Sequence, residues 1–151
     1  MKNSNKILYS VSGNIAKLTI NRPERRNALD AESLEQINIL MDRAESDEKV
    51  RVILITGQGD TFSSGFDLKD QMEKVPKGKQ WKPILELDHR TIMRFWNSPK
   101  PTIAAVRGAC LAGGFELSLA CDFTICSKDS FFGEPELCLL YTSPSPRDKT
   151  V

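Results

Sequence analysis

Apolar and polar residues alternate along the first thirty residues in a pattern typical of a β-hairpin. The segments ILYSV and IAKLTI both alternate, and Ser12-Gly13-Asn14 between them has the composition of a turn. The loop NRPERRNALD follows and ends on Asp30, a residue type suited to the N-cap of a helix. One face of an amphipathic helix is then predicted by the spacing of Leu34, Ile37, Met41 and Ala44.

Three short apolar runs further along predict strands. VRVILITG is β-branched and stops at glycine, which is typical of a strand buried on both faces, and TIAAV and FTICS are interpreted in the same way. A second helix is predicted over 83–97, with Pro83 in its first turn. Because strands and helices alternate along the chain, the predicted fold class is α/β.

Composition restricts the classes of function. The chain has 151 residues, of which 40% are hydrophobic and 27% charged, with a formal net charge of +1. This balance is ordinary for one globular domain, and it does not favour nucleic acid or an anionic membrane as a partner. The N-terminal segment has no apolar run typical of a signal peptide, so a cytoplasmic location is expected.

The cysteines and the histidine do not favour a metal site. Cys110, Cys121, Cys126 and Cys138 form no C-x-x-C pair, and His89 is the one histidine of the sequence. Reduced core cysteines are therefore predicted in place of a disulfide framework or a zinc site. His89 is interpreted as a helix-surface or core histidine.

The stretch RGACLAGGFELSLACD places glycines between a predicted strand and a predicted helix. It lacks the second glycine of a dinucleotide-binding turn, because Cys110 stands two residues after Gly108. Gly114 and Phe115 stand where a phosphate-binding loop has lysine and a hydroxyl. A tight structural turn is one interpretation. The other is a pair of backbone N–H donors for a developing negative charge, with the second donor supplied by the turn Ser64-Gly65-Phe66.

Carboxylates accompany the glycine turn. Glu116 begins the apolar helix, where it is either a partner of the helix dipole or, if partly buried, a general acid–base group whose pKa is raised by burial. Glu134 and Glu136 flank Pro135 in a turn that follows the last predicted strand. Two carboxyl groups that share a pocket can hold and polarise one water molecule.

Together these motifs resemble the enoyl-CoA hydratase/isomerase, or crotonase, superfamily. The matching stretches are NRPERRNALD, ITGQGDTFSSGFDL, KPTIAAVRGACLAGGFELSLACD and SFFGEPE, which come in family order between Ile7 and Leu137. The resemblance implies a spiral of ββα units, an acyl-CoA thioester as substrate, and a homotrimer or a dimer of trimers. It implies no metal and no cofactor beyond the coenzyme A of the substrate.

The resemblance also implies roles for particular residues. Phe66, often alanine in relatives, and Gly113 match the two backbone donors of the oxyanion hole, and Glu116 and Glu136 match the catalytic glutamates of hydratases. The segments that line coenzyme A match Arg25, Arg26, Ala28, Ser64, Phe66, Asp67, Leu68 and Gly113. Hydration of an enoyl-CoA is the expected reaction. Isomerisation, another crotonase-type reaction and an inactive CoA-binding fragment stay open as alternatives.

The end of the chain departs from the family pattern. Residues 1–137 are expected to form the N-terminal part of a crotonase-like domain, whereas 138–151, CLLYTSPSPRDKTV, have no apolar periodicity. This tail is interpreted as disordered or artefactual, and an uncovered apolar face is expected on the domain.

Overall fold

The computed structural model describes residues 5–70 and 81–135, and it confirms the α/β class. The predicted tail 138–151 and Glu136 lie outside these residues. The helices are α1 (Ala31–Ser46), α2 (Trp81–Trp96) and α3 (Gly113–Ala120), and one 3-10 turn spans Pro23–Arg25. The strands are β1 (Ile7–Ser12), β2 (Ile15–Ile20), β3 (Val52–Gly57), β4 (Thr102–Val106), β5 (Ala109–Leu111), β6 (Phe123–Cys126) and β7 (Phe131–Gly133).

The first hairpin and α1 form as the sequence pattern predicts. Strands β1 and β2 pair in antiparallel fashion, and Gly13 in their turn has a φ of 57°. Asp30 caps α1, because its side-chain Oδ1 accepts the backbone N–H of Ser33 at 2.9 Å. The four predicted face residues are all buried: Leu34, Ile37, Met41 and Ala44.

The larger sheet has the order β1-β2-β3-β4-β6 and is parallel from β2 to β6. Alternate residues of its strands form one core with the helices, including Leu18, Ile55, Ala104 and Leu117. The prediction of strands buried on both faces is wrong for β3 and β4. Ile53 and Ile55 are fully buried, but the neighbours whose side chains point to the opposite face are only half-buried.

Strand β6 departs further from the predicted buried strand. Among the described residues it lies at the edge of the larger sheet, where it pairs with β4, and all its residues are exposed. Phe123 and Ile125 keep 63% and 64% of their accessible surface, and Leu119 on α3 keeps 60%. The expected apolar surface is therefore present on the part of the chain that the structure describes.

A second, smaller sheet was not predicted. It consists of β5 and β7 in parallel, and single bridges join Ser63 to Cys110 and Leu29 to Phe66. The glycine stretch after β4 therefore contains a further strand before α3 begins. In this way the loops that follow β2, β3 and β4 are held side by side.

The buried side chain of Asn27 joins two of these loops. Its Nδ2 donates to the carbonyl oxygens of Gln58 (2.9 Å) and Thr61 (2.6 Å), and its Oδ1 accepts the N–H of Arg22 at 3.0 Å. The φ of Asn27 is 54°, a left-handed conformation that asparagine tolerates better than most residues. The amide thereby fixes the loop after β2 against the turn after β3.

We expect Asn27→Ala to lower the free energy of unfolding by about 2–3 kcal/mol, because it leaves buried backbone groups without partners. Urea unfolding of the chain followed by circular dichroism measures this loss. Asn97→Ala is the control, because Asn97 is exposed and forms no side-chain hydrogen bond to another described residue. Equal stability of the two variants would contradict the role assigned to Asn27.

Candidate active site

The turn at Gly65 directs the backbone N–H of Phe66 away from the neighbouring segment around Leu29. Leu29 donates to the carbonyl of Gly65 and accepts from the N–H of Asp67, both at 2.8 Å, so the intervening N–H of Phe66 points to the opposite edge. The backbone N–H of Ser64 also points toward the segment around Leu29, where it donates to the carbonyl of Arg26 at 3.0 Å. The usual alternation is therefore interrupted at Gly65, whose φ of 93° favours glycine.

A second N–H faces the same region from the start of α3. Gly113 is the first residue of this helix, and Ala112 before it has φ 53° and ψ −135°. The Ala112 carbonyl accepts the N–H groups of Phe115 (2.7 Å) and Glu116 (3.0 Å). Neither Phe66 N–H nor Gly113 N–H has an acceptor within residues 5–70 and 81–135.

The two turns are in close contact. A Cβ added to Gly65 would stand 3.1 Å from the Gly113 nitrogen and 2.5 Å from the Cβ of Ala112. A Cβ added to Gly113 would stand 2.7 Å from Cδ2 of the Phe66 ring. The structure therefore brings together the two predicted donors, Phe66 and Gly113, and it does so because glycines let the two backbones approach.

Glu116 lies one helical turn beyond Gly113. Residues three apart lie on one face of a helix and are separated by roughly 4.5 Å along its axis, so the carboxylate follows the free N–H on the same side. Glu116 is exposed, and the partial burial considered from the sequence is not observed. The second predicted glutamate, Glu136, lies outside the described residues.

The residues predicted to line coenzyme A surround one surface pocket of about 390 Å³. The pocket is bounded by the loop after β2 and by the turn that carries Phe66. All the predicted lining residues except Gly113 contribute to it, and Glu24 joins them; the predicted residues are Arg25, Arg26, Ala28, Ser64, Phe66, Asp67 and Leu68.

Asp67 is the partner of two arginines on the wall of this pocket. The carboxylate is only 5% exposed and lies 3.0 Å from Arg22 Nη2 and 3.2 Å from Arg25 Nη2. Burial tends to raise the pKa of Asp67, but its hydrogen bonds and the charges of both arginines lower the pKa below its usual value. Asp67 therefore holds the loop after β2 in place as an ionised group.

Arg25 and Arg26 have different surroundings. Arg25 is paired with Asp67, whereas the exposed guanidinium of Arg26 forms no ion pair or side-chain hydrogen bond with the residues that the structure describes. Arg26 also ends the 3-10 turn in a left-handed conformation, with a φ of 53°. Of the two arginines, Arg26 is the one that can turn its charge toward a ligand.

The structure tests the predictions for three of the four cysteines and for His89. Cys110 is buried and desolvation raises its pKa to about 11, and burial likewise raises the pKa of half-buried Cys121 to about 12. Cys126 is exposed on β6 and is not the core cysteine predicted, and Cys138 lies outside the described residues. His89 is exposed on α2, one of the two predicted positions.

Residues 5–70 and 81–135 contain no cluster of side chains that could ligate a metal ion. No helix among them has the length and apolar character to cross a bilayer.

A model of the enoyl-CoA hydratase/isomerase family matches residues 10–144. The chain belongs to this family. It is 40% identical over 136 residues to a probable enoyl-CoA hydratase of Bacillus subtilis, covering 89% of this chain and 52% of that protein. It is 33% identical over 137 residues to a short-chain-enoyl-CoA hydratase of Clostridium acetobutylicum, covering 89% of this chain and 51% of that protein.

Solved structures agree with this assignment. An enoyl-CoA hydratase/isomerase from Xanthobacter autotrophicus Py2 superimposes with a TM-score of 0.85 at 59% identity, covering 87% of this chain and 49% of that one. An enoyl-CoA hydratase from Bacillus anthracis superimposes with a TM-score of 0.84 at 30% identity, covering 90% of this chain and 53% of that one. The fold is thus the crotonase fold, and the chain spans about half the length of these relatives.

Sequence reasoning missed two residues that shape this site, Arg22 and Asn27. Arg22 contacts Asp30 as well as Asp67 and donates to the carbonyl of Ala28. Arg22 precedes a proline in a charged loop, and such a sequence is typical of a solvent-exposed segment. The sequence did contain one indication of this contact: the loop after β2 is rich in arginine, and Asp67, which can pair with an arginine, directly follows the turn Ser64-Gly65-Phe66.

We expect the stability of the chain to fall below about pH 4 because Asp67 and Asp30 have lowered pKa values in the folded state. A lowered folded pKa contributes stability above the unfolded pKa, and that contribution disappears as pH falls through the folded value. Urea unfolding between pH 3 and pH 7 measures this dependence. Asp67→Asn should lose about 2 kcal/mol at pH 7 and show a shallower loss toward acid.

Asp60→Asn is the matched control, because Asp60 is exposed and has no described side-chain partner. It should keep the parental stability at pH 7 and the parental acid dependence. If Asp67→Asn lost stability toward low pH as steeply as the parent, the arginine contacts of Asp67 would not be what stabilises its ionised form.

Proposed function

We propose that this chain carries the enolate-stabilising part of an enoyl-CoA hydratase site, which adds water across the α,β double bond of an acyl-CoA thioester. The observation that carries the proposal is the approach of the Phe66 and Gly113 turns, whose N–H groups have no acceptor among the described residues. Two such donors suit a thioester oxygen that becomes negatively charged during the reaction, and each is worth roughly 2.7–4 kcal/mol in the transition state.

The carboxylates supply the proton transfers in this proposal. Glu116 takes a proton from water while the water oxygen bonds to the β-carbon. The electron pair of the double bond moves toward the thioester oxygen, which the N–H groups of Phe66 and Gly113 hold as an enolate. Glu136, which is protonated at the start, then delivers its proton to the α-carbon. Transfer of the proton held by Glu116 to Glu136 restores both groups, so that the net change is the addition of one water molecule.

The pocket beside Phe66 is the proposed site for coenzyme A. Arg26 lines it, and its guanidinium has no ion-pair partner within residues 5–70 and 81–135; a guanidinium matches the geometry of phosphate oxygens. Arg25 and Asp67 satisfy each other and thereby shape the wall. Assembly as a homotrimer, a cytoplasmic location and a place in fatty acid metabolism are parts of the same proposal.

We expect Glu116→Gln to lower the hydration rate by about 10²–10⁴, the usual contribution of a general acid or base. Loss of the conjugated thioester absorbance of crotonyl-CoA measures the rate, with sizing chromatography on the same sample. Glu48→Gln is the control, because Glu48 is exposed and lies in the connection between α1 and β3. Turnover of Glu116→Gln near that of Glu48→Gln would overturn the assignment.

We expect Arg26→Gln to weaken coenzyme A binding by about tenfold, because one charge-assisted hydrogen bond to phosphate is lost. Arg26→Lys should lose less, and added salt should narrow the difference between parent and variant. Isothermal titration with coenzyme A measures the dissociation constants. Arg51→Gln, which removes an exposed arginine directly before β3, is the control. An Arg26→Gln variant that binds like this control would remove Arg26 from the site.

A further inference from the structure

The two donor turns contact each other through reciprocal packing. Gly65 leaves room for the Cβ of Ala112, and Gly113 leaves room for the ring of Phe66. Each turn thus pairs one glycine with one larger residue of the other turn. An added Cβ on either glycine would overlap its counterpart, so the separation of the two backbones is fixed by these contacts.

In this chain a side chain at Gly113 is opposed by the Phe66 ring and not by the backbone conformation of Gly113. Unlike Gly65 and Gly108, it is not among the residues with positive φ, and it begins an ordinary α-helix. An alanine there would be acceptable to the main chain. The atoms that an added Cβ would meet are Cε2, Cζ and Cδ2 of Phe66.

The turn before Gly113 needs an external support. Ala112 has φ 53° and ψ −135°, a conformation that costs a non-glycine residue of order 1–3 kcal/mol. It persists where surrounding contacts determine it, and those contacts include Gly65 on one side and the carbonyl of Gly133, which accepts the Ala112 N–H at 2.9 Å, on the other. The half-buried Phe66 ring lies against the next residue and also packs on the hydrophobic core.

We infer that the Phe66 side chain is a positioning residue that sets the distance between the N–H groups of Phe66 and Gly113. This inference rests on the proposed function and adds to it a role for the ring, which is separate from the role of the Phe66 backbone. Removing the ring leaves both N–H groups in the chain but removes one of the two packing contacts that hold the start of α3 against the Phe66 turn. A displacement of about 1 Å between oriented groups can reduce a rate by a factor of the order of 10².

The test uses acetoacetyl-CoA as the probe. This β-keto thioester forms an enolate with its own ultraviolet absorbance, and a pair of correctly placed N–H donors lowers the pH at which the bound enolate appears. Formation of the enolate on binding reports on the donors without requiring hydration. The dissociation constant of coenzyme A, measured on the same samples, reports on the rest of the pocket.

We expect Phe66→Ala to reduce the enolate-forming affinity by about tenfold or more, with coenzyme A affinity changed by less than about threefold. Phe66→Tyr, which keeps the ring, should retain most of the enolate signal. Phe115→Ala is the matched control: it removes a phenylalanine ring from α3 that packs against Phe132, with ring centroids 5.6 Å apart. The control should retain the parental enolate signal.

A double-mutant cycle tests the contact itself. Gly113→Ala should reduce the enolate signal in the parent, because its Cβ overlaps the Phe66 ring, but it should cost little in the Phe66→Ala background, where the ring is absent. Urea unfolding of all four proteins should give the same non-additivity in the free energy of unfolding.

The outcomes separate this inference from the proposed function. A parental enolate band that Phe66→Ala leaves unchanged, or strictly additive effects of the two substitutions, would overturn the inference and leave the proposed function in place. Coenzyme A binding without any enolate band in the parent would overturn the proposed function and this inference together.

Discussion

The buried amide of Asn27 is the interaction on which the arrangement of the loops depends. Its side chain bonds to backbone groups from both the loop after β2 and the turn after β3, and its own carbonyl accepts Ser63 Oγ at 2.9 Å. Gly57 lies so close that an added Cβ would stand 2.8 Å from the Asn27 Nδ2. These bonds add to the backbone bonds by which Leu29 and Arg26 hold the turn that carries Phe66 beside the loop after β2.

The smaller sheet of β5 and β7 connects these loops to the beginning of α3. Ser63 donates to Ala109 and accepts from Leu111, so the Phe66 turn and the segment before α3 are held in one hydrogen-bonded register. The larger sheet supplies the support, because its parallel strands deliver each loop to the same edge. Short strands of three residues thus determine the position of the candidate donors, although they contribute little to the core.

The sequence predicted the elements whose burial is periodic. The α1 face was correct because its apolar residues recur at helical spacing over several turns, and the first hairpin was correct because two strands of six residues flank a recognisable turn. Strands β5 and β7 escaped detection because three residues are too short for any period, and the exposure of β6 escaped because apolar composition does not say which neighbours cover a strand. The contact of Arg22 with Asp67 spans 45 positions, and no local pattern marks it.

Some features of the candidate site could be predicted from the sequence and others could not, for a related physical reason. Glycines and carboxylates in fixed motifs indicated Phe66, Gly113 and Glu116, because each follows a recognisable turn or begins a helix. That the Phe66 ring occupies the space over Gly113 is a packing relation between distant segments, and it follows only from the three-dimensional arrangement. The same holds for the pairing that leaves Arg26, and not Arg25, with a guanidinium available to a ligand.

The two parts of the proposed chemistry depend on different features of the molecule. Stabilisation of an enolate oxygen requires the two donor turns, and these are fixed by backbone bonds and reciprocal packing within the described residues. Proton transfer requires a controlled environment for Glu116, which is exposed among those residues, and a second carboxylate. Enolate stabilisation and hydration are therefore physically separable in this chain. A protein that forms the bound enolate but does not add water would have correctly placed donors and an incomplete environment for the carboxylates.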